Sequence, residues 1–152
     1  MGSIDHPLSL DIRPLRPDET DVVTGVLGLE RLLQGNGRYL VAWADGEPLG
    51  HVHVALTEPP ELQDLEVRPS HQRRGVATAL IAAAEDTARA EGFDELRLEV
   101  SEKDPAAQTL YGRCGYVDTG LPARRVMGRI VLRTGPIEVD DVLLHFAKRL
   151  RP

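Results

Sequence analysis

The chain has 152 residues, which is the length of one ordinary domain. Its formal net charge is −6, and 41% of its residues are hydrophobic, a larger share than a disordered chain would have. The acidic balance argues against general binding to nucleic acid, and no apolar run approaches the roughly 20 residues that a membrane span needs. Its one cysteine, Cys114, excludes an internal disulfide. The first ten residues have no apolar segment, so no signal peptide is expected. We therefore expect a single domain over residues 1–152, located in the cytoplasm, with neither a membrane nor nucleic acid as partner.

The first half of the chain predicts a strand, a helix and then three consecutive strands. Apolar and polar residues alternate over 8–13, which predicts a strand. Pro17 and the acidic residues after it predict the start of a helix, and the apolar spacing carries this helix to Gly35. The next three predicted strands cover 39–44, 48–57 and 61–68, with a hairpin turn at Asp45-Gly46.

Helices and strands alternate in the second half. An Ala-rich stretch predicts a helix over 75–91, and a strand follows over 93–100. Asp104 and Pro105 predict the N-terminal cap and first residue of another helix, which ends near Arg113. A further strand is expected from 115, and one or two more in the tail, near 126–132 and over 142–148. This order indicates an α/β fold: a central mixed sheet of six to seven strands flanked by helices, with residues 121–152 completing the sheet or forming a dimer edge.

The most informative segment joins the predicted strand 61–68 to the helix that begins at Gly75. Unpaired N–H groups at a helix N-terminus favour an anion, and a glycine there lets a phosphate approach the backbone closely. Arg68, Arg73 and Arg74 concentrate positive charge in this segment. The segment therefore suits a pyrophosphate, although it has the pattern of neither common phosphate-binding loop. The alternative is that the arginines are ordinary solvated loop residues.

Two blocks of sequence resemble the GNAT family of N-acetyltransferases. Residues 72–77, Gln-Arg-Arg-Gly-Val-Ala, resemble the acyl-CoA loop Q/R-x-x-G-x-G/A of that family. Residues 96–116 are similar to its strand–helix–strand signature, in which Asn-x-x-Ala is followed by Tyr and then by Gly-Phe. The two blocks stand in family order, and the resemblance covers 61–120. It implies a GNAT-like sheet and transfer of an acetyl group from acetyl-CoA to a primary amine, by direct attack in a ternary complex and without a metal.

The resemblance also implies where the cosubstrate binds. The backbone of Leu65, Glu66 and Val67 would meet the pantetheine arm. The pyrophosphate would lie on the backbone amides of Arg73, Arg74, Gly75, Val76, Ala77 and Thr78. Asp104 stands where the family often has an Asn that contacts pantetheine, so it is either a cofactor contact or only a helix cap.

Tyr111 matches the general acid of the family. Transfer of the acetyl group expels a thiolate, to which a phenol with a pKa of about 10 is a reasonable proton donor. The alternative is that Tyr111 is only a core aromatic. Candidates for the base are Glu99 and Glu61, since both match positions at which family members carry a catalytic glutamate; the base takes the amine proton directly or through water. The alternative is that each glutamate is only a solvated or salt-bridged side chain. Glu61 has the same strand parity as Val67, which predicts that both point toward the cleft; Asp64 and Glu66, of opposite parity, are weaker candidates.

Three other residues are expected to be structural. His51 and His53 share one face of a strand, but without an evident third ligand they are expected to pack as polar cross-strand neighbours. Cys114 has no evident activating partner and is expected to be a small buried residue.

Two further functions stay open beside the enzyme: a catalytically silent module that binds CoA or acyl-CoA as a sensor, and an interaction protein without CoA. In the family that the sequence resembles, the segment between the first two strands usually walls the acceptor side. Because this segment is short here, the resemblance implies an open acceptor site for a peptide N-terminus, a lysine or a small polyamine. The acidic balance suits a cationic amine. The tail leaves room for a homodimer.

Overall fold

A computed structural model of the chain describes residues 9–29, 37–72, 75–132 and 135–151. In these residues eight strands form one sheet. The strands are β1 (Asp11–Pro14), β2 (Gly37–Ala44), β3 (Glu47–Ala55), β4 (Glu61–Val67), β5 (Glu95–Ser101), β6 (Val117–Asp118), β7 (Arg124–Leu132) and β8 (Gly135–Arg149). The helices are α1 (Thr20–Leu27), α2 (Val76–Ala90) and α3 (Pro105–Arg113), with short 3-10 turns at Pro17–Glu19 and Pro69–His71.

The sheet is mixed, and its strands follow the order β1-β2-β3-β4-β5-β8-β6, with β7 pairing β8. Only β4 and β5 pair in parallel; the other pairs in the described residues are antiparallel. The predicted mixed α/β fold is confirmed. The sheet has eight strands rather than six to seven because the tail adds a long hairpin, β7–β8. Residues 143–149 of β8 pair with β5. Among the described strands, residues 135–142 of β8 pair only with β7.

The first helix is shorter than predicted. It ends at Leu27, where Gly28 takes a left-handed conformation (φ 68°) and its N–H donates to the Thr24 carbonyl oxygen at 2.9 Å. A glycine in this conformation ends a helix even where apolar residues continue at helical spacing. The end predicted at Gly35 was therefore wrong, and residues 30–36 lie outside the described part.

Each face of the sheet has its own apolar cluster. On one face α2 packs against alternate residues of the central strands. The buried members of that cluster include Leu40, Val52, Val54, Leu62, Leu80, Ile81, Leu96 and Leu98. On the other face, α1 covers a smaller cluster formed by Val23, Leu29, Tyr39, Val41 and Trp43. The second face holds fewer apolar groups, and the polar side chains discussed below lie on it.

A bulge in β4 changes which residues share a face. His53 pairs with Gln63 and His51 with Glu66, so Asp64 and Leu65 together stand opposite one residue of β3. Asp64 has a positive φ of 54°. An extra residue in one strand reverses the alternation beyond it.

The bulge overturns the parity argument made for the two glutamates of β4. The register places Glu61 and Glu66 on the face of His51 and His53, since cross-strand partners share a face. Val67 pairs with Gly50 on the α2 side, because a Cβ at Gly50 would lie 3.2 Å from Leu80. Glu61 and Val67 therefore lie on opposite faces, and Glu66 shares the face of Glu61.

An ion pair between Glu85 and Lys148 joins α2 to the β8–β6 edge of the sheet. Glu85 of α2 is 5% exposed and accepts hydrogen bonds from the Tyr116 hydroxyl (2.9 Å) and from Lys148 Nζ (3.0 and 3.1 Å to its two oxygens). Burial together with this carboxylate raises the pKa of Tyr116. The side chains of Tyr116 and Lys148 thus satisfy the one buried carboxylate of α2.

Removing Lys148 should therefore cost stability. In Lys148→Met the Glu85 carboxylate keeps the tyrosine hydrogen bond and a longer contact with Arg89 Nη2 at 4.0 Å. We expect the free energy of unfolding to fall by about 2 kcal/mol, less than for a fully buried pair, because the Lys148 side chain is 27% exposed. Urea denaturation measures this loss. Arg151→Met is the control, because its ion pair with Asp94 is exposed (54% and 72%) and should contribute less than about 1 kcal/mol. Equal losses in the two variants would contradict the structural role of Glu85.

Candidate active site

A cleft opens where β4 and β5 separate. The two strands pair at one position, Glu61 with Arg97, and then diverge toward their carboxyl ends. The cleft is lined by the end of β4 and has a volume of about 940 Å³; it extends from the N-termini of α2 and α3 to Val26 and Leu27 of α1. Eight of the predicted site residues line it: Leu65, Glu66, Val67, Gly75, Ala77, Thr78, Asp104 and Tyr111.

The N-terminus of α2 forms one wall of this cleft. Gly75 precedes the helix in a left-handed conformation (φ 80°), and no described atom lies within 4 Å of where its Cβ would be. The first helical hydrogen bond runs from the Ala79 N–H to the Gly75 carbonyl oxygen. The N–H groups of Val76, Ala77 and Thr78 therefore have no acceptor within the helix. Unpaired donors and the positive end of the helix dipole make this wall suited to an anion.

Side chains around the preceding loop add to this wall. Gln72 donates from Nε2 to the Val67 carbonyl oxygen at 3.2 Å and so closes the end of β4. Arg68, His71 and Arg113 bring cationic or titratable groups into the cleft. The sequence prediction included Arg68 but missed His71 and Arg113. His71 ends the 3-10 turn and Arg113 ends α3, and neither belongs to a recognisable motif. Two predicted residues, Arg73 and Arg74, lie outside the described part, and the Val76 side chain is buried in the core.

Tyr111 stands on the opposite wall, on α3. The centre of its ring lies 6.1 Å from that of Tyr116 in an edge-to-face contact, which helps to fix the orientation of the Tyr111 ring. Its hydroxyl makes no hydrogen bond with any residue that the structure describes. Burial, aided by Asp104 and Cys114, raises the pKa of Tyr111 to about 12. The side chain is thus a protonated donor without a protein partner in the described chain.

Asp104 caps α3, as one of the two interpretations predicts. Its Oδ1 accepts a hydrogen bond from the Ala107 N–H at 3.0 Å. The carboxylate also lines the cleft, so a contact with a ligand stays a prediction beside the cap. Cys114 ends the same helix half-buried, and burial raises the pKa of its thiol.

The two glutamates predicted as candidate bases lie close together but outside the lining of the cleft, on the face opposite α2. Glu99 is held by Arg124, whose Nε and Nη2 donate to its two carboxylate oxygens at 2.9 and 2.8 Å. His145 Nδ1 lies 3.6 Å from the same carboxylate. Arg124 lowers the pKa of Glu99, whereas burial and the neighbouring Glu99 charge raise the pKa of Glu61. Of these two glutamates, Glu61 is therefore the one to which no arginine of the described residues donates a hydrogen bond.

His51 and His53 continue this polar face on β3. The Tyr39 hydroxyl lies 2.6 Å from His51 Nδ1, and His51 Nε2 lies 3.5 Å from a carboxylate oxygen of Glu66, whose pKa it lowers. His53 Nδ1 lies 3.1 Å from Gln63 Oε1. Both histidines thus pack against polar cross-strand neighbours, and His51 also lines the cleft. In the described residues no group of three or more His, Cys, Asp or Glu is arranged to hold a metal ion.

Comparison with known proteins identifies the family. The acetyltransferase (GNAT) family matches residues 9–116. The chain belongs to the GNAT acetyltransferase family. Streptothricin acetyltransferase from Streptomyces lavendulae is 31% identical to it over 93 residues, which is 59% of this chain and 49% of that protein. The chain spans about half the length of the curated relatives it matches.

Solved structures of GNAT proteins share this fold. The ribosomal-protein-S18-alanine N-acetyltransferase from Escherichia coli superposes with a TM-score of 0.72 at 18% identity, covering 94% of this chain and 95% of that one. A putative streptothricin acetyltransferase from Bacillus anthracis, solved in complex with acetyl coenzyme A, gives a TM-score of 0.70 at 19% identity, covering 93% and 99%. In the described part of the GNAT chain, no helix is long and apolar enough to span a membrane.

The contact between Arg124 and Glu99 predicts a measurable titration. In Arg124→Gln the Glu99 carboxyl loses the guanidinium that lowers its pKa, so its midpoint should move to higher pH, and that of Glu61 should rise with it. Carbon-13 NMR of the glutamate carboxyl groups measures both. Arg125→Gln is the matched control, since Arg125 pairs with Asp140 on the opposite face of β7. A Glu99 midpoint that stays in place in Arg124→Gln would contradict this geometry.

Proposed function

We propose that this GNAT chain is an acetyl-CoA-dependent N-acetyltransferase acting on a primary amine. The observation that carries the proposal is the pairing of two unfilled features across one cleft: the unpaired N–H groups at the N-terminus of α2 and the unpaired hydroxyl of Tyr111. The first suits a diphosphate and the second a leaving group. The streptothricin acetyltransferase relative and the neighbour solved with acetyl coenzyme A support the same reaction.

The cosubstrate would lie along the cleft from α2 to the bulge of β4. Its diphosphate would accept hydrogen bonds from the amides between Arg73 and Thr78, and its pantetheine arm would follow Leu65, Glu66 and Val67. A backbone N–H on this side of the cleft would polarise the thioester carbonyl. Arg68 and Arg113 add positive charge for the phosphates, and His71 adds a polar side chain beside them.

The reaction would be direct attack of the amine nitrogen on the thioester carbonyl carbon. The base would first take a proton from the substrate ammonium, and the neutral amine would then attack. As the C–N bond forms and the C–S bond breaks, CoA would leave as a thiolate that accepts a hydrogen bond from Tyr111, and the second nitrogen proton would pass to the thiolate or to solvent. Positioning of the two reactants supplies much of the rate. Because a phenol with a pKa of about 12 is a weaker acid than an ordinary thiol, Tyr111 would assist chiefly by donating a hydrogen bond as negative charge develops on sulfur.

Glu61 is the base in this proposal. A base must be unprotonated, free to accept and have a pKa near the working pH. Glu61 meets these conditions better than Glu99, because its pKa is raised by burial while Glu99 binds Arg124. Since neither glutamate lines the cleft, the proton would pass to Glu61 from an amine entering from that face, directly or through water.

The acceptor would be a cationic primary amine. Glu61, Glu66 and Glu99 place carboxylates on the face from which the amine would enter. Acetylation of a panel containing streptothricin, an alanyl peptide, lysine and spermidine, with thiol release as the readout, tests the proposal. Binding of CoA without acetylation across the panel would favour a silent module, and absence of CoA binding would favour an interaction protein.

Substitution of Gly75 tests the diphosphate site. Gly75→Ala adds a methyl group where the diphosphate would approach the N-terminus of α2 most closely. We expect calorimetry to show CoA binding about tenfold more weakly, a change of about 1.4 kcal/mol in binding free energy. Gly92→Ala is a matched control, because Gly92 follows α2 with a φ of 91° and open space around it. Each alanine should cost roughly 1–2 kcal/mol of stability through its left-handed backbone. Equal affinity in the two variants would place the diphosphate elsewhere.

Removal of the Tyr111 hydroxyl tests the leaving-group role. We expect Tyr111→Phe to lower kcat about a hundredfold while CoA affinity stays within about twofold, since the hydroxyl would act mainly in the transition state. Because Tyr111 stays protonated up to about pH 12, it should contribute no alkaline limb to the wild-type rate profile below pH 10. Unchanged kcat in the variant would remove Tyr111 from the reaction.

A further inference from the structure

A row of polar side chains runs across β3 and β4 on the face of the candidate base. His53, Gln63 and Glu61 lie on that face, since His53 pairs with Gln63 and Ala55 with Glu61. His53 Nδ1 lies 3.1 Å from Gln63 Oε1, and Gln63 Nε2 donates to Glu61 Oε1 at 3.3 Å. His53 is 5% exposed, so the row begins in the interior and ends at the carboxylate.

The donor and acceptor properties of the three groups permit one arrangement. An ionised carboxylate only accepts hydrogen bonds, so Gln63 must turn its NH₂ group toward Glu61. The amide oxygen of Gln63 then faces His53, and His53 Nδ1 must carry a proton to donate to it. Each group therefore sets the orientation of the next.

We infer that Gln63 and His53 are positioning residues for Glu61, which orient its carboxylate for the acceptor amine. This inference rests on the proposed role of Glu61 as base. Gln63 holds one carboxylate oxygen and leaves the other to receive the proton. His53 touches neither substrate and acts only through the amide of Gln63.

Several charges face Glu61 from the neighbouring strands, and none of them reproduces this contact. Arg97 and Glu99 lie on β5, Arg124 on β7 and His145 on β8. The guanidinium of Arg124 is engaged with Glu99, and Arg97 contacts Glu95 at 3.2 Å. Gln63 provides the one side-chain hydrogen bond to Glu61 found within the described residues.

The contact has a consequence for the pH profile. A hydrogen bond donated to the ionised carboxylate lowers the pKa of Glu61, opposing the rise caused by burial. Loss of the donor should raise that pKa. Because the base must be unprotonated, the acidic limb of kcat/KM then moves to higher pH.

Matched variants separate positioning from packing. Gln63→Met removes the donor at nearly constant size, His53→Leu removes the orienting group, and His53→Asn keeps an N–H donor of similar reach. We expect Gln63→Met and His53→Leu to lower kcat about tenfold and to leave the KM for acetyl-CoA unchanged. We also expect both to move the acidic limb of the kcat/KM profile to higher pH. We expect His53→Asn to restore both kcat and the limb.

Glu61→Gln and a direct titration distinguish the possible failures. Full activity of Glu61→Gln would remove Glu61 as base and this inference with it. If Glu61→Gln is inactive while Gln63→Met and His53→Leu keep the wild-type limb, the base stands and the positioning role is wrong. Carbon-13 NMR of the Glu61 carboxyl should give a higher midpoint in both variants, and an unchanged midpoint, or a failure of His53→Asn to rescue, would also overturn the inference.

Discussion

The separation of β4 from β5 governs the chemistry of this GNAT chain. The Arg97 N–H donates to the Pro60 carbonyl oxygen at 3.0 Å, and beyond this contact the two strands lead into α2 and α3. Both helices therefore present their N-termini to one cleft. Asp104 already occupies the N-terminus of α3 with its own carboxylate, whereas Gly75 places no side chain at that of α2. An anionic ligand is thus directed to α2, and α3 is left to present Tyr111.

The bulge at Asp64 determines what the other face of the sheet contains. With regular alternation, Glu66 would lie on the α2 side and Val67 on the side of Glu61. The extra residue instead aligns Glu61, Gln63 and Glu66 with the two histidines of β3. It also places two residues, Asp64 and Leu65, opposite one residue of β3 near the cleft. One irregular residue thus shapes both the proposed cosubstrate side and the proposed acceptor side.

Local signals in the sequence were enough to predict the elements that form the proposed cosubstrate site. Gly75 before an Ala-rich stretch and Asp104 before Pro105 predict helix starts through interactions within a few residues, and the structure has both. The turn at Asp45-Gly46 follows from the same short-range physics, with φ values of 52° and 79°. The bulge could not be predicted in this way, because a left-handed Asp is uncommon and depends on pairing with β3. The end of α1 was mistaken because apolar spacing was given more weight than Gly28.

The environments of Glu61 and Glu99 could not be predicted from sequence at all. Their pKa values are displaced in opposite directions, and such divergence between neighbouring carboxylates is how a site assigns them different roles. Arg124 and His145 cause part of this difference, and both lie beyond residue 116, where the match to the family ends. The residues proposed to bind the cosubstrate lie within the matched segment, whereas the charge of the proposed acceptor side depends on the tail. The acceptor of this chain must therefore be sought from its own β7 and β8 rather than transferred from its relatives.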